Sequence, residues 1–210
     1  METNYAALYN IKQIITNDQY DAHLTLYDVS LVKTTKQIIF NIAVGPVCLP
    51  FRYSQNDFAG QLVTILGNFL KYTQMFGRLI ARVSGWGTTE FSGPVSEHLR
   101  KTNVTVYSNF ECQPQISSKL LSNQLCTSSI KTDSCQYDSG GPVIFADSLT
   151  RRDFLIGSIS SGRGCAGGIP SINSRITSFL QWIVDVTPGK YKDCYALSDT
   201  CHYLATCIKI

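Results

Sequence analysis

The chain has 210 residues, of which 44% are hydrophobic and 16% charged, with a formal net charge of +3 at pH 7. A disordered chain needs high charge and few aromatic side chains, whereas this one contains 11 Tyr and 10 Phe. The small positive charge is not gathered into a block of Lys and Arg, which argues against nucleic-acid binding. The most apolar region, residues 61–83, is interrupted by Lys71, Arg78 and Arg82, which argues against a membrane-spanning segment.

Short runs of β-branched and apolar residues recur along the chain, and they predict an all-β fold. Turn residues separate the runs, for example Gly45 with Pro46 and Gly140 with Gly141. Several short strands at this spacing favour a sandwich or barrel over alternating strands and helices. The predicted strands are residues 12–15, 29–32, 62–66, 104–107, 143–145, 154–159 and 172–176.

The sequence predicts one helix, which begins at residue 179 after the last strand. Thr177 or Ser178 can cap its first turn, because a hydroxyl oxygen accepts a hydrogen bond from an unpaired backbone N–H there. Pro188 and Gly189 end the helix. The segment beyond it, residues 188–210, carries Cys194, Cys201, His202 and Cys207. Their spacing is poor for structural zinc, so we expect no metal there.

Residues 68–82 interrupt the strand pattern. The flanking stretches, 63–67 and 83–87, read as one strand that leads directly into a Gly-Trp-Gly turn. We therefore interpret residues 68–82 as an insertion, encoded by an unspliced stretch of an incomplete gene model.

Eight cysteines in a chain of this length indicate an oxidising compartment. Residues 1–5 have neither the basic region nor the apolar run of a secretion signal. We therefore expect a secreted protein, with residues before Met1 missing from this chain. Asn103, Val104 and Thr105 form an N-glycosylation sequon, which has meaning only in a secreted protein.

The strongest local motif is residues 133–142, which read D-S-C-Q-Y-D-S-G-G-P. A serine between an acid and two glycines can lie on a tight turn, where backbone N–H groups converge beside its hydroxyl as an oxyanion hole requires. The G-x-S-x-G elbow of α/β-hydrolases does not match, because position 137 is Tyr.

This motif and four further blocks, in the same order, resemble the trypsin/chymotrypsin-like (S1) serine endopeptidases over nearly the whole chain. The other blocks are residues 26–33, 44–50, 85–87 and 160–165. The resemblance implies two Greek-key antiparallel β-barrels, the first lacking its early strands, and a C-terminal helix. It implies a protease domain over residues 1–187 and an atypical tail over 188–210. A fainter similarity at residues 166–171 points to arthropod venom and salivary proteases of the CUB-linked kind.

The resemblance assigns roles to individual residues. Ser139 is the nucleophile, and Asp28 is the aspartate that orients the catalytic histidine. The N–H groups of Tyr137 and Ser139 form the oxyanion hole, with Tyr137 standing where the family has glycine. Asp133 is the carboxylate at the base of a trypsin-type S1 pocket and selects Arg or Lys in a protein or peptide substrate. The alternative for Asp133 is a solvated loop carboxylate.

The same resemblance implies the walls of the pocket and its disulfides. Ser160 and Gly162 belong to the strand on which substrate backbone pairs, and Gly162 leaves the pocket open. Ser171 stands where the family usually has glycine and narrows the pocket. The implied disulfides are Cys112–Cys126 and Cys135–Cys165, each contributing about 3–4 kcal/mol. Cys48 matches a cysteine that tethers an upstream light chain or CUB domain, so we expect its partner to be absent from this chain. No cofactor is implied.

The catalytic histidine of the family has no match. None of His23, His98 and His202 lies in the small-residue block, followed by cysteine, that carries it. The chain also lacks an Ile-Val-Gly-Gly type N-terminus, so we expect Asp138 to be unpaired. Losing the histidine of a serine protease lowers kcat about 2 × 10⁶-fold, which predicts an inactive chain. The alternative function is a non-catalytic homologue that acts as a binding or cofactor module.

Overall fold

The computed structural model describes residues 7–59, 80–129, 133–162, 165 and 168–187. Antiparallel strands make up most of the regular secondary structure of these residues, which confirms the all-β prediction. The elements in chain order are β1 (Ile11–Thr16), β2 (Ser30–Thr34), β3 (Ile80–Gly85), β4 (Arg100–Tyr107), α1 (Asn109–Cys112), β5 (Gln124–Ser128), β6 (Pro142–Asp147), β7 (Arg152–Ser161), β8 (Ser171–Arg175) and α2 (Leu180–Val186). Turns of 3-10 helix occur at Phe51–Tyr53, Gln113–Gln115 and Ile176–Phe179.

Strands β3 to β8 close into a six-stranded antiparallel barrel in the order β3-β4-β5-β8-β7-β6. Buried and exposed side chains alternate along a strand that has one face in the core. In β4, for example, Val104 and Val106 are buried whereas Asn103 is exposed. The apolar interior consists of Cys48, Phe58, Ala81, Val83, Val104, Val106, Leu125, Val143, Phe154, Ile156 and Ile159. The barrel with its C-terminal helix confirms that part of the predicted architecture.

The N-terminal part of the described chain contains a two-stranded antiparallel sheet, β1-β2. Strand β2 is anchored, because Val29 and Leu31 pack in a cluster with Leu155 of β7 and with residues of α2. Strand β1 is held less firmly: its Ile15 packs against the same cluster, whereas Ile11 is 56% exposed and Ile14 is 57% exposed. Among the described residues, therefore, the first barrel is represented by one sheet that is attached mainly through β2.

Helix α2 begins at Leu180, one residue after its predicted start and two or three residues after its predicted caps. Ile176–Phe179 form a turn of 3-10 helix, and Phe179, the residue before α2, makes no side-chain capping bond. The capping role predicted for Thr177 or Ser178 is therefore wrong. Burial of Ile176 and Phe179 draws this turn onto the core and moves the helix start to Leu180.

Helix α1 was not predicted, although its signal is present in the sequence. Ser108 and Glu111 form a capping box, in which Ser108 Oγ accepts from Glu111 N at 3.1 Å and the Glu111 carboxylate accepts from Ser108 N at 3.0 Å. The buried Cys112 follows at once. The capping box thus places this cysteine on the barrel.

The structure describes only the last three residues of the predicted insertion at 68–82. Residues 80–82 are the first half of β3, where Ile80 lies opposite Thr105 and Arg82 opposite Asn103. They belong to the barrel because Ala81, like Val83, points into its core. The remainder of the insertion, the predicted strand at 62–66 and the tail at 188–210 lie outside the described residues. No helix in the described ranges is long and apolar enough to cross a membrane.

Candidate active site

Strand β7 connects the two predicted catalytic residues. Ser160 Oγ donates to the Asp28 carboxylate at 2.6 Å. The preceding residue, Ile159, is bonded to the turn that follows Ser139, because its carbonyl accepts from Gly140 N at 2.8 Å and its N–H donates to Gly141 O at 2.9 Å. Asp28 and the serine turn therefore meet adjacent residues at one end of a single strand.

A second serine fixes the backbone of Asp28. Ser174 Oγ, from β8, donates to the Asp28 carbonyl at 2.5 Å, so both the side chain and the main chain of Asp28 are held. The sequence analysis missed Ser174. Its signal was the composition of β8, S-I-N-S-R, in which polar residues occupy a strand that is buried at every position. Buried polar groups need partners, and Asp28 is one of them.

The turn around Ser139 leaves two N–H groups without acceptors. Those of Asp138, Gly140 and Gly141 donate to Cys135 O, Ile159 O and Asp138 O, respectively. Neither Tyr137 N–H nor Ser139 N–H has an acceptor among the described residues. These two are the donors predicted for the oxyanion hole. Two unpaired N–H groups near a nucleophilic serine can donate hydrogen bonds to a carbonyl oxygen on which negative charge develops.

Tyr137 has a left-handed backbone. Its φ is +70° and its side chain is 77% exposed, so no burial of the ring compensates for the conformation. This region suits glycine, because a Cβ approaches the carbonyl there. The observation agrees with the sequence comparison, in which Tyr137 replaces a glycine.

Asp138 is paired, contrary to the prediction. Its carboxylate accepts from Gly87 N at 2.8 Å and from Cys135 N at 2.8 Å. Two backbone donors replace the terminal amine expected from the resemblance. The same contact explains two glycines of the Gly-Trp-Gly turn, since a Cβ on Gly85 or Gly87 would lie 2.0 Å or 2.5 Å, respectively, from Asp138 Oδ1.

Asp133 is held at the edge of a cavity of about 390 Å³. Its carboxylate accepts from Ser134 N at 2.8 Å and from Ser171 Oγ at 2.9 Å. Burial raises the pKa of Asp133, and these hydrogen bonds only partly oppose the shift. The buried Ser171 thus contacts the carboxylate directly. A partly desolvated carboxylate of this kind can pair with a cation.

The structure forms both predicted disulfides, Cys112–Cys126 and Cys135–Cys165. The second links the loop that carries Ser139 to the segment that follows β7, where Gly162 is exposed. Cys48 is also disulfide-bonded within the chain, and its partner lies outside the described residues. The prediction that the partner of Cys48 is absent is therefore wrong, because this thiol already has a bond.

Two of the three histidines lie on the surface. His23 and His98 are exposed, and each is bonded through its backbone N–H, to Asp21 Oδ1 and Ser96 Oγ, respectively. Neither imidazole is bonded to Asp28 or Ser139 in the described part of the chain. His202 lies outside it. The described residues also contain no group of three or more His, Cys, Asp or Glu side chains that could hold a metal ion.

Comparison with known proteins agrees with this geometry. The trypsin family model matches residues 78–183. The chain is 32% identical over 190 residues to a venom serine protease of Polistes dominula, covering 90% of this chain and 61% of that protein. It is 36% identical over 191 residues to venom serine protease 34 of Apis mellifera, covering 89% and 42%. Trypsin-1 of Astacus astacus is 30% identical over 177 residues, covering 82% and 65%. The chain thus spans less than two thirds of each of these relatives, and it belongs to the trypsin family of serine proteases.

Proposed function

We propose that this chain carries the nucleophile and substrate-binding side of a serine endopeptidase that cleaves after Arg or Lys. Ser139 is the nucleophile, Asp28 orients the base, and Asp133 binds the substrate cation. The observation that carries the proposal is the pair of contacts on β7, where Ser160 bonds Asp28 and Ile159 bonds the turn after Ser139.

The proposed chemistry assigns one task to each group. Ser139 Oγ attacks the carbonyl carbon of the scissile bond, and its proton passes to a base held by Asp28. The negative charge that forms on the carbonyl oxygen is received by the N–H groups of Tyr137 and Ser139. One such donor is worth about 3–4 kcal/mol of transition-state stabilisation. The substrate guanidinium or ammonium group pairs with Asp133 in the cavity.

The described residues supply no histidine base at this place, because neither His23 nor His98 is bonded there. Loss of that base costs about 10⁶-fold in kcat, or about 8–9 kcal/mol. We therefore propose that the isolated chain recognises basic side chains but turns over peptide bonds at a negligible rate.

Binding of an aryl amidine, benzamidine, tests the substrate site independently of turnover. Calorimetric titration of the chain should give saturable binding, and Asp133→Asn should abolish it because the amidinium loses its counter-charge. The exposed Asp18→Asn is the matched control and should bind as the wild type does. Equal binding by the wild type and Asp133→Asn would overturn the role given to Asp133.

The second candidate is a non-catalytic homologue that binds a partner, and the lack of a histidine base beside Asp28 among the described residues is the observation that favours it. A fluorophosphonate probe separates the two in the natural full-length protein, with Ser139→Ala as the control for specific labelling. Labelling of Ser139 excludes the homologue. Amidine binding without labelling excludes the endopeptidase.

We also propose that the protein is secreted. Two disulfides within one barrel favour an oxidising compartment, and two of its relatives are venom serine proteases. Detection of the endogenous protein in extracellular fluid, with protein thiols blocked before lysis, tests this. Confinement to the reduced cytosolic fraction would contradict it.

A further inference from the structure

The Asp133 carboxylate already accepts a hydrogen bond on each of its oxygens. Ser134 N donates to Oδ1 at 2.8 Å, and Ser171 Oγ donates to Oδ2 at 2.9 Å. Burial raises the pKa of Asp133, and the hydroxyls of Ser171 and Ser134 oppose that shift, so both hydroxyls lie beside the carboxylate. Because an ionised carboxylate offers about four acceptor sites, about half of its capacity is in use before a substrate binds.

Lysine and arginine side chains place different demands on such a carboxylate. A guanidinium is a planar fork, and its strongest pairing uses two parallel N–H···O bonds, one to each carboxylate oxygen. An ammonium group is a compact point charge whose three donors can turn towards any nearby acceptors. The hydroxyl oxygens of Ser134 and Ser171 can accept as well as donate. The surroundings of Asp133 therefore offer several oxygens to a compact cation but little free space at Oδ2 to a fork.

Ser171 and Asp133 are both held by the fold. Ser171 is the first residue of β8, pairs with Thr127 of β5 and is 3% exposed. Asp133 lies two residues before Cys135, which is bonded to Cys165, and both cysteines line the same cavity as Asp133. A site that has to widen for a bidentate guanidinium would thus move either a buried strand or the segment next to a disulfide.

We propose that Ser171 makes this site prefer a substrate lysine to a substrate arginine. A bidentate guanidinium has to displace the Ser171 hydroxyl from Oδ2, which leaves a buried hydroxyl without its acceptor. A guanidinium that pairs with one oxygen keeps the serine bond but loses half of its fork. A lysine ammonium gives up neither contact. The inference rests on the proposed function, because it concerns the cation that Asp133 binds.

Two ligands that differ only in the cationic head group test the preference without any need for turnover. Phenylbutylamine carries a lysine-like ammonium, and phenylbutylguanidine carries an arginine-like guanidinium on the same stem. Both are titrated calorimetrically into the whole chain at pH 7, with benzamidine as the competitor that defines the site. The wild type should bind the amine at least about 10-fold more tightly than the guanidine.

Variants of Ser171 separate its hydroxyl from its bulk. Ser171→Gly removes both, so the affinity for the guanidine should rise until the two ligands bind about equally. Ser171→Ala removes only the hydroxyl and should reduce the preference to a smaller extent. Ser158→Ala is the matched control, because Ser158 is a buried serine of the neighbouring strand β7 whose Oγ has no hydrogen-bond partner in the described part of the chain. It should keep the wild-type ratio.

The outcomes distinguish this inference from the proposed function. A wild type that binds the guanidine as tightly as the amine overturns the lysine preference but leaves Asp133 as the cation site, and this result needs no variant to fold. A preference that persists unchanged in both Ser171 variants overturns the role of Ser171. Failure of the amine, the guanidine and benzamidine alike to bind refutes the cation site itself, and the proposed function with it.

Discussion

Tyr137 combines an exposed ring with a left-handed backbone, so the residue adds strain at the oxyanion donor without adding core packing. Tyr137→Gly removes the Cβ that causes this strain. Tyr137→Ala removes the ring but keeps the Cβ. We expect the Gly variant to exceed the Ala variant by about 1 kcal/mol in free energy of unfolding, measured by chemical denaturation.

The comparison between the two variants isolates the backbone term, because both lack the aromatic ring. If Tyr137→Gly and Tyr137→Ala unfold at the same denaturant concentration, the left-handed conformation is not strained in solution. A glycine at this position also frees the peptide that carries the oxyanion N–H, as in the family pattern.

Asp133 gives the site a defined dependence on pH. Burial raises its pKa above the ordinary value of 3.8, so the folded chain holds this proton more tightly than the unfolded chain. Its contribution to stability therefore falls as the pH rises from 3.8 through the raised pKa, and stays reduced above it. Asp133→Asn should be more stable than the wild type at pH 7, with the difference vanishing below pH 3.8.

Denaturation of both proteins across pH 3–8 measures this difference. Asp18→Asn, on an exposed turn, is the control and should stay within about 0.5 kcal/mol of the wild type throughout. A wild type that is more stable than Asp133→Asn at pH 7 would mean that hydrogen bonds from Ser134 and Ser171 outweigh the cost of burying the charge.

At the scale of elements, the Asp138 carboxylate, in the loop before β6, packs against Gly85 and Gly87 at the end of β3 and in the turn after it. All three neighbours nearest to a Cβ on Gly85 are atoms of Asp138, the closest at 2.0 Å. Gly85→Ala should therefore expel the carboxylate and lower the free energy of unfolding by about 1–3 kcal/mol. Thermal and chemical denaturation measure the loss.

Two variants test that explanation. Gly45→Ala should be nearly neutral, because a Cβ there has nothing within 4 Å. In the double variant Gly85→Ala with Asp138→Ala, the cost should be smaller than the sum of the single costs, since the clash is removed. Additive costs would show that Gly85 is needed for another reason.

A tyrosine, Tyr53, holds the connection between the N-terminal sheet and the barrel. Tyr53 O–H donates to the buried Asp147 carboxylate at 2.8 Å. Burial, reinforced by this bond, raises the pKa of Tyr53 to about 12. Hydrogen bonds from Thr150, Tyr53 and the backbone outweigh the burial of Asp147 and lower its pKa. The connection thus depends on Tyr53 staying neutral and Asp147 staying charged.

Tyr53→Phe should therefore lower the free energy of unfolding at pH 7 by about 2 kcal/mol, the worth of a hydrogen bond to a charged group. A raised pKa means that the contribution of Tyr53 is present below pH 10 and lost as the pH rises towards 12. The difference between variant and wild type should shrink over that interval. Tyr20→Phe, at a position 49% exposed, is the control, and a difference that is constant with pH would contradict the explanation.

Local patterns predicted the elements better than their boundaries. The barrel strands follow from alternating apolar residues, and both disulfides follow from the family resemblance. The catalytic roles of Ser139 and Asp28 come from the same resemblance and stay predictions. The sequence could not reveal that Gly87 N–H and Cys135 N–H bind Asp138, because these donors are backbone groups brought together by the barrel. Nor could it place the start of α2, because burial of Phe179 overrides the local capping preference.

At the scale of the whole molecule, β7 joins the N-terminal sheet to the barrel. Ile156 faces the barrel core, whereas Leu155 packs in the cluster that holds β2 and α2. The end of the same strand bonds Asp28 and the serine turn. The proposed catalytic geometry therefore depends on how firmly the N-terminal sheet is attached to the barrel.

The attachment should be visible in amide hydrogen exchange. Every residue of β8 is buried, and β8 pairs with both β5 and β7. Strand β1 pairs with β2, and its burial is slight. Local opening follows burial and pairing, so we expect β8 amides to exchange at least about 100-fold more slowly than those of β1, with β2 between them.

Leu31→Ala, which removes a side chain 1% exposed, should accelerate exchange in β1 and β2 but leave β8 unchanged. Protection of β1 equal to that of β8 would show instead that the N-terminal sheet unfolds only together with the barrel.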